Sequence, residues 1–187
     1  MSFTTRSPAA LVGPAAAPIL ALTTDLDPAL LDRATPCTDF DVRTLLGHIA
    51  QWAPVFVAAA SKDTATPGAA DAALAPDLLA RAATAWSDPA AWDGTASFGA
   101  DPLPASMIGG MIVGEFVVHG WDLGRALGVE LSWPADVLTY LHAEVAGTAE
   151  LARQMSVYGP EVPVPATAPA LDRLLGASGR DPRWSAS

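Results

Sequence analysis

Between Ala105 and Leu127 the chain carries apolar side chains at helical spacing and only four ionisable ones, Glu115, His119, Asp122 and Arg125. A run of that length and period is too long for a strand. It is a helix that must bury one stripe against other helices. Gly128 follows it, the residue type best suited to the left-handed position past a helix end. The rest of the chain supplies the partners. A first helix is predicted from Pro8 to Leu26, with Leu11, Ala15, Ile19, Leu22 and Leu26 on one face and a kink at Pro14 and Pro18. Thr38 or Asp39 is placed to cap a second, with Val42, Leu45, Leu46, Ile49, Ala53 and Phe56 along one stripe. Asp77–Trp86 reads as a third, and Ala135–Met155 as a fifth behind Pro134. The segment 63–75 is a loop. The stretch 92–104 is an irregular connection with a short extended piece at Thr95–Phe98. The proline-rich tail stays extended until a short helix near Leu171–Leu175. The expected fold is all-α, an antiparallel four-helix bundle with additional short C-terminal helical segments, forming one domain over residues 1–187.

Charge and cysteine content narrow the partners. The formal net charge is −10, which repels phosphate backbones and anionic lipid. Nucleic acid and membrane surfaces are therefore not expected partners. Cys37 is the one cysteine, so no internal disulfide or Cys-rich zinc site exists, and a reducing, cytoplasmic compartment is expected. The uncharged stretch behind Arg6 loosely imitates a signal peptide, but Pro14 and Pro18 interrupt it and no clean cleavage site precedes Asp25. The uncharged run from Thr44 to Ser61 approaches membrane-span length, yet His48, Gln51 and Pro54 lie inside it, so a buried helix is expected.

The chemistry is concentrated on the fourth helix. On a wheel of about 100° per residue with Ile108 at zero, Met111, Ile112 and Ala126 mark the core face. Glu115 then falls near −20° and His119 near +20°, inside the apolar stripe. A bare carboxylate there would cost several kcal/mol, so Glu115 must be protonated, paired or bound to a cation. Glu and His four residues apart on one helix can ligate a metal jointly. His48, flanking the stripe of the second helix, is the natural third ligand. A His-Glu-His set leaves positions open for water or substrate, as catalytic zinc sites do, and a two-His, one-carboxylate set also suits ferrous iron or nickel. Spacing alone equally allows a Glu115–His119 pair closed by hydrogen bonding, with His48 elsewhere.

The runs Ala34-Thr35-Pro36-Cys37-Thr38-Asp39-Phe40-Asp41-Val42-Arg43 and Leu45-Leu46-Gly47-His48-Ile49 resemble the actinobacterial DinB-like metal-binding family, in the branch related to mycothiol-dependent maleylpyruvate isomerases. Glu115-x-x-x-His119-Gly120-Trp121-Asp122-Leu123-x-Arg125-Ala126-x-Gly128 resembles its second motif. Gly159–Pro165 and Gly179-Arg180-Asp181-Pro182-x-Trp184 resemble its C-terminal segment. The resemblance implies a DinB-like bundle with a divalent metal on His48, Glu115 and His119, zinc foremost, nickel or iron as alternatives, and mycothiol as thiol cosubstrate. Two positions depart from the pattern. Phe40 stands where the family usually has Trp, and nothing after Trp184 forms the extra C-terminal domain of the isomerase-type relatives. Maleylpyruvate isomerase activity itself is thus not expected.

The functional expectation is a metal-dependent, mycothiol-type thiol transferase or isomerase-like enzyme acting on a small electrophile. The alternative is a non-catalytic metal-binding or stress-response module. Partners would be a small-molecule thiol or electrophile, and a homodimer is left open. Asp122 either accepts a proton from a ligating imidazole or pairs with Arg125. Trp121 is expected to pack on a neighbouring segment, Trp52 to pack or to wall the pocket, and His142 to lie at the surface. Cys37, with no basic neighbour in sequence, is expected to be structural. Arg43 and Arg125 are candidates for holding an acidic thiol or a carboxylate at the pocket mouth.

Overall fold

The computed structural model describes residues 6–99, 101–155 and 157–186, and they form a helical bundle. Helix α1 covers Pro8–Thr23, α2 Val42–Ala60 and α3 Ala75–Trp86. A two-stranded antiparallel hairpin, β1 Thr95–Phe98 and β2 Asp101–Pro104, leads into α4 Ala105–Gly114. A π-helical turn, Glu115–His119, joins α4 to α5, Gly120–Leu127. Helix α6 is Ala135–Gln154 and α7 Ala170–Ala177.

The long helix expected over 105–127 is therefore one helical rod with a wide turn in its middle, and Gly128 ends it at φ +73°. Helix α1 runs through both prolines and stops at Thr23, before Asp25 at φ +56°. The cap of α2 is Asp41, not Thr38 or Asp39. Its carboxylate accepts from the Thr44 N–H at 2.7 Å, while Asp39 takes φ +70° in the preceding turn. The extended piece at Thr95–Phe98 has a partner strand that the prolines of 101–104 concealed. The pair is an isolated ribbon, where missing proline N–H groups cost little.

The core gathers the stripes of α1, α2, α3 and the α4–α5 rod, with Val12, Ile19, Leu45, Leu79, Trp86, Ile108, Phe116 and Leu123 all but fully buried. Two of its tryptophans are tied at their polar ends: Trp86 Nε1 donates to Phe56 O at 2.9 Å, and Trp133 Nε1 to Ala15 O at 3.0 Å. Met111, placed by the wheel at the edge of the core stripe, is instead exposed. Gly109 allows the rod to approach Trp92 closely, since a Cβ there would sit 2.6 Å from Trp92 Cε3. Helix α7 packs on α6 and turns back through Gly179 at φ +86°, pressed against the Gly159 backbone. That crossing carries the last residues towards the π turn. No helix among the described residues is long and apolar enough to cross a membrane.

Candidate metal centre

His48 projects from α2, two turns after the Asp41 cap, while Glu115 and His119 open and close the π turn of the facing rod. The turn per residue is smaller here than in an α-helix and re-aims His119, whereas Glu115 directly follows the regular turns of α4. Its side chain is 27% exposed rather than centred in the apolar stripe, and His119 is the better buried at 10%. Single π turns recur at functional sites because they re-aim side chains without ending the helix.

The structure brings the three predicted ligands together. Glu115 Oε2 lies 3.5 Å from His119 Nε2 and 3.7 Å from His48 Nε2. The imidazole rings stand edge-on with centroids 5.3 Å apart, and one ligand atom from each of the three residues lies within 4.8 Å of the others. Separations of 3.5–3.7 Å are long for hydrogen bonds. They match donors arranged about a shared cation, since two ligand atoms about 2.1 Å from a tetrahedral ion sit roughly 3.4 Å apart. The donor set, two imidazoles and one carboxylate, fits a borderline divalent ion. Both His48 and Glu115 retain just over a quarter of their side-chain exposure, so one side of the cluster is open. On another side, Trp52, Ile49, Phe56 and Ile112 line an apolar crevice that reaches Glu115.

Electrostatics keep the carboxylate ready to bind. Burial pushes the Glu115 pKa up, but His119, His48 and Arg180 together outweigh it and hold the group below its ordinary value. Burial opposes charge on His48, yet Glu115 opposite it wins, and the His48 pKa is raised. Beyond the ligands, His119 Nδ1 lies 3.0 Å from Asp122 Oδ2, and Asp122 is wholly buried. A carboxylate can only accept, so Nδ1 carries a hydrogen, and Nε2 is the ring nitrogen that faces Glu115.

Of the two roles open to Asp122, the imidazole acceptor is the one observed. Its cationic partner is Arg180, with Nη2 3.1 Å from Oδ2 and Nε 3.4 Å from Oδ1, and not Arg125. Arg125 instead donates through Nε to Trp184 O at 3.0 Å and lies 6.0 Å from the centroid of the buried Trp121. Arg43 pairs with Asp32 at 2.9 Å on the surface. Neither candidate pocket arginine faces the cluster. Trp121 packs as expected, and Trp52 both stacks on Phe98 at 6.0 Å and walls the crevice beside Glu115. His142 is half-buried on α6.

Sequence reasoning missed Arg180 and the neighbour it gives Cys37. Arg180 Nη2 donates to Cys37 Sγ at 3.3 Å, although burial dominates and pushes the thiol up to about 11. Cys37, His119 and Asp122 form a second close group of metal-binding types. There the guanidinium already supplies the positive charge between thiol and carboxylate, which leaves the His48–Glu115–His119 group as the open one. The signal in sequence was the Gly179-Arg180 run, but no local pattern ties it to a site 58 residues upstream.

These positions divide between two halves of the chain when known proteins are compared. Residues 12–83 match the family model of the mycothiol maleylpyruvate isomerase N-terminal domain. That bears out the family resemblance read from the motifs, over the segment that holds His48 and stops before Glu115. No curated protein matches the chain in sequence. Among solved structures it is similar to the mycothiol-dependent maleylpyruvate isomerase, with TM-score 0.56 and 20% identity, over 79% of this chain and 70% of that one. At that identity the likeness concerns the fold, and it extends the helical architecture well beyond the segment matched in sequence.

Proposed function

We propose that this protein binds a divalent metal, zinc foremost, on His48, Glu115 and His119, and uses it as a mycothiol-type thiol transferase or isomerase-like enzyme on a small electrophile. The observation that carries this reading is the paired 3.5 and 3.7 Å separations of Glu115 Oε2 from two imidazole Nε2 atoms, with His119 held from behind by a buried carboxylate. The bound ion would supply one thing, a lowered pKa for a thiol or water in the open position.

The chain's own residues account for the rest. His48, from α2, and the π-turn pair Glu115 and His119 bridge two helices, so the site is set by bundle packing rather than by a loop. Asp122 keeps the His119 lone pair forward. Trp52, Phe56 and Ile112 exclude water from one flank of Glu115. Cys37 is not the nucleophile of this reading, because its half-buried thiol, pushed up to about 11, is too weakly ionised. A thiol cosubstrate is kept reduced in cytoplasmic surroundings, and that is the location this reading supports.

Thiol consumption with a panel of small electrophiles tests the catalytic part. The expected result is metal-dependent turnover that Glu115→Ala abolishes. Indistinguishable rates for wild type and Glu115→Ala, with metal bound, would instead identify a non-catalytic metal-binding module.

A further inference from the structure

The buried carboxylate behind His119 has a second partner from the far end of the chain. Asp122 is fully shielded from water, and a carboxylate offers about four lone-pair positions. His119 Nδ1 occupies one. With that partner alone, Asp122 could turn about its Cβ–Cγ bond and draw its oxygen away from Nδ1, and only then could His119 carry its hydrogen on either nitrogen. Arg180 removes that freedom by reaching both oxygens, at 3.4 and 3.1 Å. The guanidinium is itself fixed: Nη1 donates to Ser178 O at 3.3 Å, Nη2 to Cys37 Sγ at 3.3 Å, and its backbone N–H to Leu175 O at 2.9 Å.

We propose that Arg180 is a positioning residue, which through Asp122 fixes the Nδ1–H form and the ring orientation of His119. Its reach is long-range in sequence and short in space. The tail crossing at Gly159 and Gly179 delivers it, the Cys37 turn closes over it, and Asp122 transmits it. The effect on the ring is a property of the protein alone. The consequence for metal affinity rests on the metal reading above, because it requires the Nε2 lone pair to be used. Removal of residues that orient a ligating histidine typically weakens metal binding about 10–100-fold.

The test uses full-length protein with Arg180→Met, Asp122→Asn and the double variant. In zinc-free protein at pH 8.5, the ¹⁵N shifts of the His119 ring are expected to show the pure Nδ1–H form in wild type. Arg180→Met should lose that signature. Zinc affinity, measured by competition with a chromophoric chelator, should fall about tenfold in Arg180→Met. In the Asp122→Asn background the same change should add less than about twofold, because the path through Asp122 is already broken. An unchanged ¹⁵N signature in Arg180→Met, or losses that multiply in the double variant, overturns the inference. Should Arg180→Met fail to give the wild-type melting profile, Arg180→Gln is read by the same criteria. If wild type takes up no zinc, the metal reading fails while the ¹⁵N measurement still decides the role of Arg180.

Discussion

Replacing Gly179 by alanine tests whether the tail crossing is the rigid device that brings Arg180 to the site. Gly179 has φ +86°, and a Cβ there would lie 2.9 Å from the N, Cα and O atoms of Gly159. Two costs follow. A left-handed conformation costs an L-residue about 1–2 kcal/mol, and forcing a methyl into packed backbone adds about 1–3 kcal/mol. The sum is about 3 kcal/mol, and no flexible side chain is available to yield. Gly128→Ala is the control, with φ +73° but nothing within 4 Å of its added Cβ, so only the conformational cost of about 1 kcal/mol applies. In a domain of this size about 1 kcal/mol shifts Tm by roughly 2–4 °C. Thermal unfolding followed by circular dichroism should therefore show Gly179→Ala losing about 9 °C and Gly128→Ala about 3 °C. Equal losses would refute the reasoning, since they would mean that the Gly159 backbone moves aside freely.

Three further outcomes follow from the structure. Gly109→Ala should destabilise by about 1–3 kcal/mol in urea unfolding, because its methyl meets the Trp92 ring, whose Nε1 is tied to Trp86 O at 2.9 Å; a loss under about 0.5 kcal/mol would contradict that packing. Burial raises the Glu144 pKa. A carboxyl whose folded pKa is raised adds stability that is complete below its unfolded pKa and is lost as pH rises through the folded value, so Glu144→Gln should melt higher than wild type at pH 7 and equally at pH 3.5. With its thiol near 11 against an ordinary 9.0, Cys37 should alkylate with iodoacetamide about 100-fold more slowly than a free thiol at pH 8, and the rate should still be climbing at pH 10; fast labelling at pH 8 would show the site to be open.

How much of this was legible in sequence depended on the range of the interaction. The helices were, because a 3.6-residue period is local: 77–86, 105–128 and the start of α6 behind Pro134 stand within a few residues of where spacing placed them. The α2 cap was offset because Thr38, Asp39 and Asp41 all carry capping oxygens, and only the turn geometry around Thr35 and Phe40 decides among them. Strand β2 was hidden by two prolines that a lone ribbon tolerates. Buried polar cost on one helix pointed to Glu115 and His119, and His48 followed as the histidine nearest a facing stripe. The π turn left no compositional trace, and neither did the 27% exposure of Glu115, which depends on what the rest of the fold packs around it. Arg180 was beyond local reading altogether, since its pairing with Asp122 exists only after the tail crosses back at Gly159 and Gly179.

Metal stoichiometry tests the central claim most directly. Protein purified without a histidine tag, given zinc and dialysed, should hold about one equivalent per chain by elemental analysis, and His119→Ala should hold less than about a tenth. Wild type at the level of His119→Ala would contradict the metal site, and stoichiometric zinc in His119→Ala would show that the ligands are other residues.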